Sequence, residues 1–264
     1  MGTKSVIIRA VKALLAINRR ASKRVEASLP HAVDIFVRYV ERAKDVASAM
    51  PRHAVVVDVG GGTTCPFARV LKPDASIMII ALDTSEDQLK RNNDVNSKLV
   101  ADVVKSLPFG NGTIDLITSR SVLEHLGDVA GFIRHSSDAL KPGGYWIHLF
   151  PSKFAPFALI NQSLPKAWSR TLVSALFPSQ KGICGFPALY DACYCSAIVN
   201  LLHKNGFDLI DVTPSYYQSQ YFSFFFPLFV LSAAYELLVW RLGLRNMAAY
   251  LLVVARKAGT SCSR

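Results

Sequence analysis

Residues 54–64 read Ala54-Val-Val-Val-Asp-Val-Gly-Gly-Gly-Thr-Thr64, a β-branched apolar run that ends in an acid and breaks at once into glycine. Continuous Val runs of this kind are buried parallel strands, so Ala54–Val59 is expected to be a central strand of an α/β sheet. Gly60, Gly61 and Gly62 carry no Cβ, which lets the chain turn sharply and lets a ligand approach the backbone. A helix is expected near Pro66–Leu71, with Pro66 in its first turn and its amide-rich start facing the crevice. A dinucleotide fingerprint would place a third glycine where Cys65 stands, which counts against an NAD site without removing a dehydrogenase from consideration.

The rest of the N-terminal half repeats the pattern of apolar run followed by acid or turn. Ser76–Leu82 ends in Asp83, placed as a ribose-binding carboxylate would be. Ser97–Ala101 is followed by Asp102-Val103 and then Leu107-Pro108-Phe109. Thr113–Thr118 leads into Ser119-Arg120-Ser121-Val122-Leu123-Glu124-His125-Leu126. Leu140-Lys141-Pro142-Gly143-Gly144 introduces a fifth run, Tyr145–Phe150. An acid at a strand end is often only a cap or a turn residue. Three of them at the ends of three successive strands point instead to the ligand-binding edge of a doubly wound sheet.

In this ordered series the chain resembles the class I S-adenosylmethionine-dependent methyltransferases, in their small-molecule branch. The resemblance covers residues 50–152 and the final segment Ala248–Lys257, and the family's third glycine falls at Thr64 here. It implies a Rossmann-like α/β fold, doubly wound, with a seven-stranded, mostly parallel sheet whose last strand is antiparallel. It implies S-adenosyl-L-methionine as cofactor. Asp58 would steady the glycine turn and the amino-acid end of that molecule, beside the amides of Gly60, Gly61 and Gly62. Asp83 would accept from both ribose hydroxyls, a charge-assisted contact. Asp102 would accept from the adenine amino group, the Val103 amide would meet a ring nitrogen, and Ser119 would line the floor. A sulfonium methyl needs mainly alignment, and a base only where the acceptor must lose a proton. His125 is the first candidate base and His148 the second, although a structural role is the commoner fate of either.

Charge and hydropathy add two features outside that frame. Residues 1–53 hold eleven bases against four acids, a surplus of seven out of the chain's +11. Between the first bases lie Val6, Ile7, Ile8, Val11, Leu14, Leu15 and Ile17, near helical spacing. A basic amphipathic helix over residues 1–50 reads as peripheral membrane contact, or else as a helix that covers the domain and shows its charges to water. Arg9 and Lys12 interrupt any secretory signal, a mitochondrial presequence stays open, and Val6 stands where a myristoylation motif needs Ser or Thr. A cytoplasmic, membrane-associated protein is the expectation. Second, no charged residue occurs from Val212 to Tyr235, within an insertion at residues 214–246 ahead of the last strand. Pro227 and Glu236 argue against a bilayer-crossing span, leaving an interfacial hairpin, a lid or a buried helix pair.

The domain plan is therefore an N-terminal helical extension (1–50), a cofactor-binding half (51–152), substrate-cover helices (153–206) and the last two strands with the hydrophobic insertion (207–257). The cover segment carries Phe154, Phe157, Leu159, Ile160, Trp168, Leu172, Phe177, Phe186 and Tyr190, which suits a small, apolar, lipid-like acceptor. Five irregularly spaced cysteines support neither a disulfide framework nor a metal site. Nucleic acid is the less favoured partner, because the bases are interleaved with aliphatics rather than stacking aromatics. An RNA methyltransferase and a non-catalytic cofactor-binding subunit remain the alternatives.

Overall fold

The computed structural model describes residues 3–71, 76–163 and 187–259. Trp168, Leu172, Phe177 and Phe186, named above, lie outside them, as do two of the five cysteines, Cys184 and Cys262. The chain divides into two compact units. One comprises Met1–Val33, Phe154–Pro187 and Ser215–Ala249; the other comprises Asp34–Lys153, Ala188–Pro214 and Tyr250–Arg264.

The larger unit carries the sheet. Its strands are β1 (Val55–Val59), β2 (Met78–Asp83), β3 (Ser97–Val100), β4 (Ile114–Arg120), β5 (Leu140–Pro151), β6 (Phe207–Ser215) and β7 (Tyr250–Lys257). The spatial order is β3-β2-β1-β4-β5-β7-β6, with β7 antiparallel to β5. This is the doubly wound, Rossmann-like sheet that the resemblance implies; β1–β4 and β7 begin within two residues of their expected starts, while β5 begins at Leu140 rather than Tyr145. The central parallel strands are largely apolar because both faces are covered, as Val56, Val57, Ile117, Ile147 and Leu149 show by their burial, whereas β3 at the edge is mostly exposed. The chain leaves β1 toward β2 on one side and reaches β4 on the other, so β1/β4 is the switch point where such sheets bind ligands.

Between Thr3–Glu26 (α1) and the sheet's later helices, the local signals are capping residues and stripes. In α2 (Ile35–Ser48), Asp34 Oδ1 accepts from the Phe36 amide, and Ile35, Tyr39, Ala43 and Ala47 form a buried stripe at four-residue spacing. The Tyr39 hydroxyl meets Thr118 Oγ1 at 2.8 Å, fixing α2 against β4. Ser85 caps α4 (Glu86–Arg91), and Asp128 caps α5 (Val129–Ala139) through the Gly131 amide. The helix after the glycine turn, α3, is a single turn, Pro66–Arg69, shorter than the sequence suggests. Asp94 holds its start, accepting from the Cys65 amide at 2.8 Å and from Arg69 Nε at 2.8 Å. One turn develops little macrodipole, so any anion binding here rests on the amides of the turn itself.

The smaller unit contains α1, α6 (Pro156–Ser163) and a helix corresponding to the hydrophobic insertion, α8 (Phe226–Arg241); α7 (Cys195–Lys204) belongs to the larger unit. Asn18 in α1 accepts from the Phe226 amide at the start of α8 at 2.8 Å, and the Glu26 carboxylate accepts from the Tyr217 hydroxyl. No helix among the described residues is long and apolar enough to cross a membrane.

Candidate active site

The glycine turn joins β1 to α3 at the switch point. Gly60 adopts φ +65°, and a Cβ there would lie 2.3 Å from Val122 Cγ2, beyond the end of β4. A Cβ on Gly61 would lie 2.8 Å from the Ala81 Cβ on β2. Both positions therefore require glycine for sterics, one of them also for its backbone. The turn is held by hydrogen bonds from Gly60 and Gly61 N–H to the Leu82 carbonyl, by Asn92 Nδ2 donating to the Gly61 carbonyl at 2.8 Å, and by Asp83 Oδ2 accepting from the Gly62 amide at 3.1 Å. The steadying expected of Asp58 thus falls to Asp83 and to the fully buried Asn92, which sequence reading missed.

Asp58 is 5% exposed, and burial pushes its carboxyl up to about 7. The Cys65 thiol, donating to it, and the charge of Arg120 pull the other way, while Asp83 adds a little repulsion. These influences bring Asp58, Asp83, Cys65 and Arg120 into one electrostatic neighbourhood. The Cys65 thiol is itself raised far above its ordinary value by burial and by Asp58, so it stays a neutral donor. Asp83, the last residue of β2, also accepts from the Ser85 amide at 2.8 Å through Oδ1. Each of its oxygens keeps a lone pair for a further donor.

Asp102 and Val103 follow β3, the strand beyond β2. Asp102 Oδ1 accepts from the Val104 amide at 3.1 Å, and its side chain is 42% exposed. The Val103 carbonyl faces His135 Nδ1 at 3.4 Å, and its residue is buried. On β4, Ser119 is fully buried with its hydroxyl 2.6 Å from His148 Nδ1. His148 lies in the core against Trp146, with ring centroids 3.7 Å apart, and burial holds it well below its ordinary value. It is a neutral structural histidine, out of reach of proton chemistry.

Just past β4, a 3-10 turn at Leu123–His125 presents two titratable groups. The His125 side chain is partly exposed, and its Nε2 lies 3.9 Å from Glu124 Oε1. Glu124 is buried, its Oε2 has no hydrogen-bond partner among the described residues, and burial pushes its carboxyl up to about 8. Its carbonyl accepts from the Leu189 and Tyr190 amides, so the 188–194 segment straps this turn down. The sequence shows Glu124 only as one polar letter before His125. Its burial comes from a segment some sixty residues later.

An open groove of about 450 Å³ lies beside the same end of the sheet, lined by Phe36, Val37, Val40 and Val70, with Glu41, Lys44 and Arg120 among them. Arg120 ties it to the site, since the same guanidinium acts on Asp58 and lies 6.0 Å over the Phe36 ring. Among the described residues no cluster of three or more His, Cys, Asp or Glu could hold a metal ion.

These residues suit an adenosylmethionine-type ligand. A cradle without Cβ atoms admits the backbone-bound end, a buried carboxylate short of a full cationic partner suits an ammonium, and Asp83 suits a diol. Comparison with known proteins agrees. A family described as "Methyltransferase domain" matches residues 32–212. The chain is 26% identical over 121 residues to a dimethylglycine N-methyltransferase of Parasynechococcus marenigrum, covering 43% of each protein. It is 30% identical over 100 residues to the 2-methyl-6-phytyl-1,4-hydroquinone methyltransferase of Synechocystis, covering 36% of this chain and 31% of that protein. The chain thus spans less than half the length of these relatives. Among solved structures, geranyl diphosphate C-methyltransferase from Streptomyces coelicolor, in complex with Mg2+, geranyl diphosphate and S-adenosyl-L-homocysteine, superposes with TM-score 0.54 at 14% identity, over 84% of this chain and 76% of the other.

Proposed function

Because the chain belongs to this methyltransferase-domain family, we propose that it is an S-adenosylmethionine-dependent enzyme that methylates an apolar or lipid-linked small molecule at a membrane surface. The observation that carries the cofactor part is the side-chain-free turn at Gly60–Gly62 flanked by Asp58 and Asp83. In this reading Asp58 binds the ammonium, Asp83 the ribose hydroxyls, and Asp102 with the Val103 amide the adenine. Ser119 acts from beneath, through the position of β4, because His148 occupies its hydroxyl.

The cofactor's sulfonium supplies an already activated methyl group. The chain's own work is to align the acceptor and to receive a proton where the acceptor is a hydroxyl or an amine. In this reading His125 takes that proton; its Nε2 lies 3.9 Å from Glu124 Oε1, which supports the assignment. The relatives named above act on molecules as different as dimethylglycine and a phytyl hydroquinone, so the acceptor class is argued from this chain. Four apolar side chains in the groove beside Arg120 suit an apolar body with a polar or anionic end. Such molecules partition into bilayers, which is where the enzyme would meet them.

Incubation of the protein with methyl-labelled S-adenosylmethionine and a lipid extract tests this directly. Label is expected in the organic phase. Label that appears only in RNA, or only in water-soluble amines, would replace the apolar acceptor by one of those classes. Failure to bind S-adenosylhomocysteine in calorimetry would remove the methyltransferase reading altogether.

A further inference from the structure

In the smaller unit, α8 is apolar around its whole circumference yet is not core. Its single acid, Glu236, points inward and is fully buried. Glu236 Oε2 meets His31 Nε2 at 3.0 Å and accepts from Ser219 Oγ at 3.2 Å, while Oε1 accepts from Ser232 Oγ at 3.0 Å. With the acid satisfied inside, the outward stripe Leu228, Leu231, Leu238 and Leu242 repeats at helical spacing without a charge, and its last three members are more than half exposed. Trp240 and Arg241 stand at its C-terminal end, both exposed.

The first half of α1 shows the same lack of a covered face. From Ser5 to Leu14, every residue whose side chain is described is exposed, and Val6, Ile8, Val11, Leu14 and Ile17 are each at least half exposed. Only the later part of α1 is anchored: Asn18 caps α8, Ser22 Oγ donates to the Ser223 carbonyl at 3.3 Å, and Glu26 holds Tyr217. A 24-residue helix is about 36 Å long, so roughly half of it presents aliphatic and basic side chains to its surroundings. Lys4, Arg9, Lys12, Arg19, Arg20, Lys23 and Arg24 lie on it against one acid, Glu26, which Tyr217 already engages.

We propose that α1 and the outer stripe of α8 together form a docking surface for an anionic lipid bilayer, with α8 lying in the interface rather than across it. The partner follows from the chemistry of the surface. Aliphatics interleaved with unbalanced bases match acyl chains beneath phosphate headgroups. A second copy would bring the same positive charge onto itself. At 16 residues α8 is about 24 Å long, short of the ~30 Å hydrocarbon layer. The proposal deepens the reading of a bilayer-dwelling acceptor and rests on it, because it supplies the means by which the enzyme reaches such a molecule.

Flotation of the full chain with two kinds of vesicle tests it: pure phosphatidylcholine, and phosphatidylcholine doped with phosphatidylglycerol. The protein is expected to float with the doped vesicles and to be released by salt. Arg9→Gln together with Lys12→Gln should lower partitioning roughly twenty-five-fold, at a factor of about five per base near an anionic surface. Leu231→Gln together with Leu238→Gln, which change no charge, should lower it independently of salt. Both double variants change only exposed residues to which no cofactor contact is assigned, so S-adenosylhomocysteine affinity should be unchanged and reports an intact fold. Absence of flotation, flotation equal for wild type and both variants, or a stable dimer that ignores vesicles would each overturn the docking surface while leaving the methyltransferase reading standing. Loss of S-adenosylhomocysteine binding by the wild type would instead sink that reading.

Discussion

Two aspartates carry most of the residue-scale argument, and they behave differently. Asp83 already accepts two backbone amides and offers its remaining lone pairs outward. Removing it with Asp83→Ala deletes a charged hydrogen-bond acceptor, a change of about 1.5–3 kcal/mol. S-adenosylhomocysteine should therefore bind roughly ten- to a hundredfold more weakly by calorimetry. Asp58 is different because burial raises it to about 7. A carboxyl whose folded value lies above its unfolded one holds a proton that the unfolded chain has already released. Between about pH 4 and 7 this group therefore lowers stability as pH rises. Glu124, raised to about 8, acts in the same sense over a slightly wider window. A ligand ammonium favours the ionised Asp58, so cofactor affinity should climb through pH 7 and level off above it, with a proton released on binding below that point. Calorimetry in two buffers of different ionisation enthalpy measures that proton, and Asp58→Asn should abolish it. A pH-independent affinity with no proton release would remove the ammonium role of Asp58.

At the scale of elements, the strands were legible and the helices less so. Apolar, Val/Ile-rich runs are best satisfied in a sheet covered on both faces, which is why β1, β2 and β4 begin close to where their composition places them. The glycine turn is as tight as its letters imply, and Gly61 makes this testable. Adding a Cβ forces it against Ala81 on the neighbouring strand, so Gly61→Ala should cost about 1–3 kcal/mol of stability and weaken cofactor binding, read by thermal melting and calorimetry. The helix after the turn was overestimated: after one turn, Val70 and Leu71 leave the helix, and Asp94 rather than a longer dipole secures its start. In α8, sequence reading took Glu236 as a charge that spoils an apolar span. The structure turns the residue inward to His31, 205 positions away. Replacing His31 with alanine leaves a buried carboxylate short of a partner, and the melting temperature should fall by several degrees, about 1–3 kcal/mol or more. A melting temperature unchanged by His31→Ala would show that the pair is not holding α8 in place.

For the molecule as a whole, the uneven charge matters more than its total. The sheet-bearing unit is organised by burial, while the positive surplus is concentrated in α1, beside an exposed apolar helix of the same unit. Basicity distributed in this way speaks for a surface partner rather than for a nucleic-acid track, where aromatics would be interleaved with the bases. By itself the sequence determined the sheet, its order of elements and the candidate cofactor edge. These follow from strictly local rules: apolar runs of strand length, acids at their ends, and glycine where a Cβ cannot fit. Only the tertiary structure decided which polar groups are usable. His148 was removed into the core by Trp146 and Ser119, Glu124 was buried by a distant strap, and Glu236 was turned inward onto His31. The physical reason is that the state of a titratable group is set by what surrounds it in space, and those neighbours are tens to hundreds of residues away along the chain.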